Sequence, residues 1–143
     1  VLLITGLMIS ACQVEEEGVE AHDYWLRAAP KGENTAMYML LHNHSTEADE
    51  FLGASSDIAE SVEVHETTMD ANGVMQMSPV TSVALKPDAE VYFKPGGLHV
   101  MFVGLKQDLK AGDEVQVTLH FKNHEDIILA VPVQEEDGGM NMP

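Results

Sequence analysis

Short apolar runs separated by turn residues follow one another from residue 23 onward, and this spacing constrains the fold most strongly. Pro, Gly, Asn and Asp interrupt the runs about every ten residues, a pattern typical of β-sandwiches and barrels. The interruptions "PKGEN", "DANG", "KPGG" and "KAGDE" contain residues that accept turn backbone angles. We therefore predict an all-β sandwich or barrel with little helix. The predicted strands are 24–28, 36–43, 49–55, 61–67, 74–79, 89–93, 99–105, 114–122 and 127–133.

Length and charge restrict the chain to a few classes of protein. Its 143 residues and 45% hydrophobic content suit one domain with a sizeable core, and we expect a monomer. The formal net charge of −17 repels phosphate backbones and anionic lipid headgroups, so we do not expect nucleic-acid binding. Such acidity raises the local cation concentration, but it also serves solubility and names no ligand.

The N-terminal region has the pattern of an export signal. Residues 1–11 are uncharged, apolar and too short to span a bilayer. The letters "ISAC", which end at Cys12, resemble a bacterial lipobox, in which the cysteine is lipidated and becomes the first mature residue. A free cysteine in a frayed strand is the alternative. We expect residues 1–11 to be a signal-peptide remnant and residues 12–22 to be a lipidated cysteine with an acidic linker.

The remaining boundaries follow from composition. Residues 23–133 are the predicted β-domain, and the acidic, glycine-rich residues 134–143 are predicted to be a disordered tail. A lipid anchor followed by a linker would hold the domain outside the cytoplasm, on the periplasmic side of the inner or outer membrane. The anchor would then be the sole membrane contact.

Strand alternation groups histidines with methionines. Because residues two apart share a strand face, His99 lies with Met101 and Met75 lies with Met77, while His65 lies opposite its neighbouring valines. These side chains present possible metal ligands if the apolar faces point inward. The alternative is that the methionines fill core gaps and the histidines are ordinary polar residues.

A site made of imidazoles and thioethers indicates copper. Neutral thioether sulfur is a poor ligand for zinc, calcium or magnesium, but it suits the soft ion Cu(I). A blue-copper electron-transfer site also requires a cysteine thiolate, and the single cysteine, Cys12, precedes the predicted domain. These residues favour holding or transferring a d10 ion over electron transfer. His42 and His44 also share a strand face, a spacing that could chelate Cu(II) or zinc, but a polar strand end is the favoured interpretation.

The spacing of these residues resembles the motif H-x10-M-x21-H-x-M of the periplasmic copper chaperone family PCuAC. Met77 is followed by twenty-one residues and then by His99 and Met101, whereas eleven residues separate His65 from Met77. The extra residue is most simply placed in the "DANG" turn. By this resemblance Met77 is the ligand and Met75 its neighbour.

The resemblance extends over nearly all of residues 23–133. It includes "YWLRAAPKGENTAMYMLLHN", "KPGGLHVMFVGLKQDLKAGDEVQVTLHF" and "ILAVPV". It implies a Greek-key β-sandwich of cupredoxin-like (Ig-like) topology. It also implies that Cu(I) is bound at one edge by the ligand set His65, Met77, His99 and Met101.

The resemblance further implies a metallochaperone that delivers copper to the binuclear copper centre of cytochrome c oxidase, sometimes alongside Sco-type thiol chaperones. Two alternatives stay open: a lipoprotein that sequesters copper without a dedicated acceptor, and a non-metal interaction domain. No nucleophile–base grouping or phosphate-binding loop is apparent in the sequence, so an enzyme is not expected.

Overall fold

The structure is a computed structural model that describes residues 18–136. In this range the regular secondary structure is almost entirely strand, and no helix is long and apolar enough to cross a membrane. The strands are β1 Val19–Arg27, β2 Thr35–Asn43, β3 Asp49–Ser55, β4 Ala59–Met69, β5 Met75–Pro79, β6 Val83–Leu85, β7 Glu90–Phe93, β8 Leu98–Leu105, β9 Glu114–Phe121 and β10 Ile127–Gln134.

The strands form one hydrogen-bonded series that folds over itself into two layers. Its order is β5-β4-β8-β7-β2-β1-β10-β9-β3-β6. The first layer runs from β5 to β1 and the second from β10 to β6. A short parallel pairing of β1 with β10, at Leu26 with Val133 and Arg27 with Gln134, joins them. The all-β prediction is confirmed.

The core lies between the layers and follows strand alternation. On β2, Met37 and Met39 are buried in the main core, whereas Ala36 and Tyr38 belong to a small apolar cluster on the opposite, outer face of the first layer. Across the layers, the fully buried ring of Phe51 stacks edge-to-face on Phe93 with centroids 5.4 Å apart. Aromatic contacts of this kind stabilise a core beyond the area that they bury.

Two predicted boundaries are wrong. Strand β1 begins at Val19, so residues 19–22 are not linker: Val19 is buried and pairs with Asn43. The acidic and polar residues between the apolar ones made this segment resemble a tether. The last strand includes Gln134, the first residue of the predicted tail, because β10 continues one residue past the last valine. Cys12 and Met140 to Met142 lie outside the described residues.

The sequence also gave no indication of β6, the strand from Val83 to Leu85. It has three residues, of which the first and last are buried. Three residues are too few for a recognisable alternation. Apart from the start of β1, the other strands were predicted within two residues of their observed ends.

Asp49 fastens the start of β3 to the loop after β9. Its carboxylate accepts backbone N–H bonds from Glu50 at 2.7 Å, Asn123 at 3.0 Å and His124 at 2.8 Å. Burial alone would raise the pKa of Asp49, but these hydrogen bonds outweigh it and hold the pKa below its ordinary value of 3.8. The ionised carboxylate therefore stabilises the fold at neutral pH.

We expect Asp49→Asn to destabilise the protein by about 1.5–3 kcal/mol at neutral pH, because the amide NH2 faces a backbone donor and the charge-assisted bonds are lost. A carboxylate whose pKa is lower in the folded protein than in the unfolded chain stabilises the fold at pH values above the unfolded pKa. This stabilisation is lost as the pH falls through the folded pKa. The difference between wild type and variant should therefore shrink in acid. Urea unfolding across the acid range measures it, with exposed Asp57→Asn as the control. A difference that stays constant in acid would contradict the assignment.

Candidate metal centre

The register of three neighbouring strands brings the predicted ligands to one face. On β4 and β8, His65 pairs directly with His99, and their ring centroids are 5.9 Å apart. On β5, Met77 pairs with Thr67, two residues after His65, so it shares the same face. Met101 is two residues after His99 and shares that face as well. All four side chains therefore lie on the outer face of the first layer, at its β5 edge.

His99 is held in one orientation by the loop that precedes β8. Its Nδ1–H donates to the carbonyl oxygen of Gly97 at 3.0 Å, and that oxygen also accepts the backbone N–H of Thr67 at 3.1 Å. A carbonyl can only accept, so the lone pair of the neutral ring is on Nε2. The residue is 4% exposed, although alternation correctly put it opposite the core residue Val100. His99 is thus more buried than an ordinary surface histidine.

His65 presents its lone pair on the other ring nitrogen. Its Nε2–H donates to the Glu63 carboxylate at 2.8 Å, while its Nδ1 is buried with no hydrogen-bond partner. The hydrogen bond from His65 is the main cause that lowers the pKa of Glu63. A buried acceptor without a partner costs free energy, and a metal ion is a ligand that would satisfy it. This orphaned nitrogen fits the predicted metal site.

Sequence reasoning missed Glu63 as the residue that orients His65. The signal was present as Glu-x-His on one strand face, where side chains two apart can meet. Carboxylates that hold a histidine ring in one tautomer are the usual partners of metal-ligating histidines. The abundance of acidic residues in the chain hid this one.

The two methionines of β5 differ in their distance from the histidine pair. Met77 is diagonal to His65 across the strand pair, roughly 7–8 Å away and within reach of a long side chain. Met75 pairs with Met69, four residues from His65, which adds about 7 Å along the strand. Both methionines are about half exposed, at 56% for Met77 and 53% for Met75. Register therefore favours Met77 as the ligand.

The chain has one residue more between His65 and Met77 than the PCuAC motif, and the β4–β5 hairpin can accommodate it in one place. Its pairing runs without a shift from His65 opposite Pro79 to Met69 opposite Met75, so a length difference must fall in residues 70–74. In that loop the Asp70 carboxylate accepts two backbone N–H groups, and Gly73 has a φ of 78°. The strict ten-residue spacing would end at Gln76, which faces the opposite side.

These features define a class: a two-layer β-sandwich that gathers two imidazoles and thioethers at one edge. Solved structures similar to this chain include the copper-bound PCuAC domain from PmoF2, 26% identical with a TM-score of 0.68, over 82% of this chain and 92% of that one. They also include CuI-DR1885 from Deinococcus radiodurans, 26% identical with a TM-score of 0.60, over 89% and 84%. The resemblance to PCuAC and the cupredoxin-like sandwich are confirmed.

The chain belongs to the family described as "Putative lipoprotein LpqE-like", whose model matches residues 19–133. It is 33% identical to "Putative lipoprotein Lxx21020" of Leifsonia xyli subsp. xyli, over 87% of this chain and 74% of the relative. It is 35% identical to an uncharacterized protein of Rickettsia prowazekii, over 75% of this chain and 59% of that protein. The match to the family model begins where β1 begins.

Proposed function

We propose that this protein is an exported metallochaperone that binds one Cu(I) through His65, Met77, His99 and Met101. It passes the ion to the binuclear copper centre of cytochrome c oxidase. One observation carries the proposal: strand register puts all four side chains on one face at the β5 edge. Two structural neighbours contain copper, which supports the choice of ion.

The donor set suits Cu(I) and not a harder ion. Each histidine offers one neutral ring nitrogen, Nδ1 of His65 and Nε2 of His99, because a hydrogen bond occupies the other nitrogen. Thioethers complete the set without adding charge. Neutral soft ligands bind a monovalent d10 ion well and offer little to calcium or magnesium.

Exposure of the ligands suggests the order in which copper leaves. Met77 is on the edge strand β5, whose five residues are all exposed and which pairs only with β4 among the described strands. His99 is buried and fixed by the Gly97 carbonyl. An acceptor thiolate or imidazole would therefore add to the ion from the β5 side. It would displace Met77 first and His99 last. This associative route keeps the ion coordinated throughout and needs no catalytic turnover.

Lipid attachment at Cys12 would confine this exchange to a membrane surface outside the cytoplasm. The family description and the name of the Leifsonia relative support a lipoprotein. A tethered donor meets a membrane-bound acceptor at high effective concentration. The proposed partners are the oxidase subunit that holds the binuclear centre and a Sco-type thiol chaperone.

A transfer assay tests the proposal. The Cu(I)-loaded Cys12→Ser chain, which lacks the competing thiol, is mixed with the apo copper domain of cytochrome c oxidase, and copper in each protein is measured after separation. We expect copper to move to the acceptor, and faster than it moves to a chelator of equal affinity. Tight binding without transfer would instead identify a copper-sequestering lipoprotein.

We expect Glu63→Gln to weaken Cu(I) binding about 10–100-fold, because the amide no longer selects the His65 tautomer with its lone pair on Nδ1. Competition with a Cu(I) chromophore measures the affinity. The matched control is Glu66→Gln, an exposed residue on the same strand whose side chain lies on the opposite face. Equal affinities for the two variants would show that Glu63 does not orient the ligand.

A further inference from the structure

A second group of metal-ligating side chains lies at the other end of the outer face. The carboxylate of Glu20 is 3.1 Å from Nε2 of His22 and 3.1 Å from Nε2 of His44, through the same oxygen. One ligand atom from each residue lies within 4.8 Å of the other two. We infer that Glu20, His22 and His44 form a second metal site, which takes a divalent first-row transition ion, Zn²⁺ or Cu²⁺.

The fold builds this arrangement from two strands. On β1, Glu20 pairs with His42 and His22 pairs with Leu40 of β2, so Glu20 and His22 project from the outer face together. His44 follows the last residue of β2, and its backbone N–H donates to the carbonyl of Gly18 at 2.8 Å. The three ligands are thus brought together by non-local pairing and do not depend on one flexible segment.

The turn that positions His44 is anchored in the protein interior. The side chain of the adjacent Asn43 is buried and donates to the carbonyl oxygens of Glu47 at 2.8 Å and Leu85 at 3.0 Å. Its own oxygen accepts the N–H of Ser45 at 3.0 Å. The position of His44 is therefore set by a satisfied buried amide, which reduces the cost of organising the site for an ion.

The donor atoms decide the kind of ion. Two imidazoles and one carboxylate are a common set for Zn²⁺ and Cu²⁺, with solvent in the remaining position. The carboxylate is too hard for Cu(I), and imidazoles are unsuitable for calcium or magnesium. All three side chains are partly exposed, so an ion can enter from solvent. The ring of His42 packs beside that of His44 with centroids 3.7 Å apart, while its Nε2 faces the Asp88 carboxylate at 3.5 Å.

The second site is separate from the proposed Cu(I) site. Its ligand His22 pairs with Leu40, which is four residues along β2 from Ala36, and Ala36 pairs with Met101. Four residues span roughly 13 Å of strand, and β1 and β8 also lie on opposite sides of β2. No described ligand is shared, so the chain could hold a divalent ion while it exchanges Cu(I), and the inference does not depend on copper delivery.

The same side chains can also associate without an ion, as two imidazole–carboxylate hydrogen bonds, and metal titration separates the two arrangements. The untagged full chain is first loaded with Cu(I), which blocks His65 and His99, and is then titrated with Zn²⁺ against a chromophoric chelator. We expect one equivalent to bind. Loss of a residue that only hydrogen-bonds to a metal ligand already lowers metal affinity about 10–100-fold. The double variant His22→Gln, His44→Gln removes two ligands and should therefore weaken Zn²⁺ binding at least about 100-fold.

Two further variants test whether weaker Zn²⁺ binding is specific to this site. Glu20→Gln keeps the shape of the site and should also weaken Zn²⁺ binding, whereas His120→Gln, on β9 and outside the site, should not. Circular dichroism of the metal-free variants confirms folding. With Cu²⁺ in place of Zn²⁺, electron paramagnetic resonance should show nitrogen coupling that disappears in the double variant. Zn²⁺ binding that is absent in the wild type, or unchanged in the double variant, would overturn the inference.

Discussion

Replacing Met77 and Met101 together by alanine is expected to weaken Cu(I) binding by at least about 100-fold. Even the loss of a residue that only hydrogen-bonds to a metal ligand typically lowers metal affinity about 10–100-fold. The physical reason is the loss of both soft ligands, after which two imidazoles hold the ion alone. Competition with a Cu(I) chromophore in the Cys12→Ser chain measures the affinity. Met77 is exposed and Met101 is only partly buried, so the fold should tolerate both changes.

A matched control for this experiment lies in the same hairpin. Met69 and Met75 pair with each other on the same face, and both are more than half exposed. Their double alanine variant changes the same number of thioethers but leaves Met77 in place, so it should bind Cu(I) like the parent chain. If this variant lost copper and the Met77 and Met101 variant retained it, the ligand assignment from register would be wrong.

We expect Phe51→Ala to lower the free energy of unfolding by about 3–5 kcal/mol, a large part of the 5–15 kcal/mol typical of a domain. Phe51 is fully buried and joins the two layers through its contact with Phe93, at a centroid distance of 5.4 Å, and it also packs on Phe121 of its own layer at 5.6 Å. Its removal leaves a cavity between the sheets that neither layer can close alone. Urea unfolding measures the change.

The neighbouring residue Leu52 provides the control for this second experiment. It is on the same strand but 45% exposed on the opposite face, so Leu52→Ala should change stability by no more than about 0.5 kcal/mol. Equal effects of the two substitutions would show that Phe51 does not link the layers. A small effect of Phe51→Ala alone would mean that the core closes around the gap.

Local alternation was sufficient to predict most of the strands and the faces of the four proposed copper ligands. His65, His99 and Met101 could be assigned to a face because each sits beside valine or phenylalanine residues that indicate the core side. Alternation could not decide between Met75 and Met77, which share a face. Only the pairing of β5 with β4 shows which methionine is nearer to His65.

The features that were missed depend on contacts between distant segments. Val19 was taken for linker because the evidence that it is a strand residue is its pairing with Asn43. The burial of His99 depends on the strands and loop around it and not on its own sequence neighbours. Glu20 and His22 are unremarkable in sequence, and alternation grouped His44 only with His42, whereas the β1–β2 register brings Glu20, His22 and His44 together. One-dimensional patterns contain no information about such pairings.

The exposed edge strand β5 has a consequence for how copies of the protein behave in solution. An edge strand presents unpaired backbone groups to which another strand can add, which ordinarily invites aggregation. Here each copy has a net charge of −17, so two copies repel before their edges meet. That repulsion acts over about 8 Å at physiological ionic strength. It provides colloidal protection against self-association, whereas a partner with a basic surface would be attracted to the same edge, where Met77 is exposed.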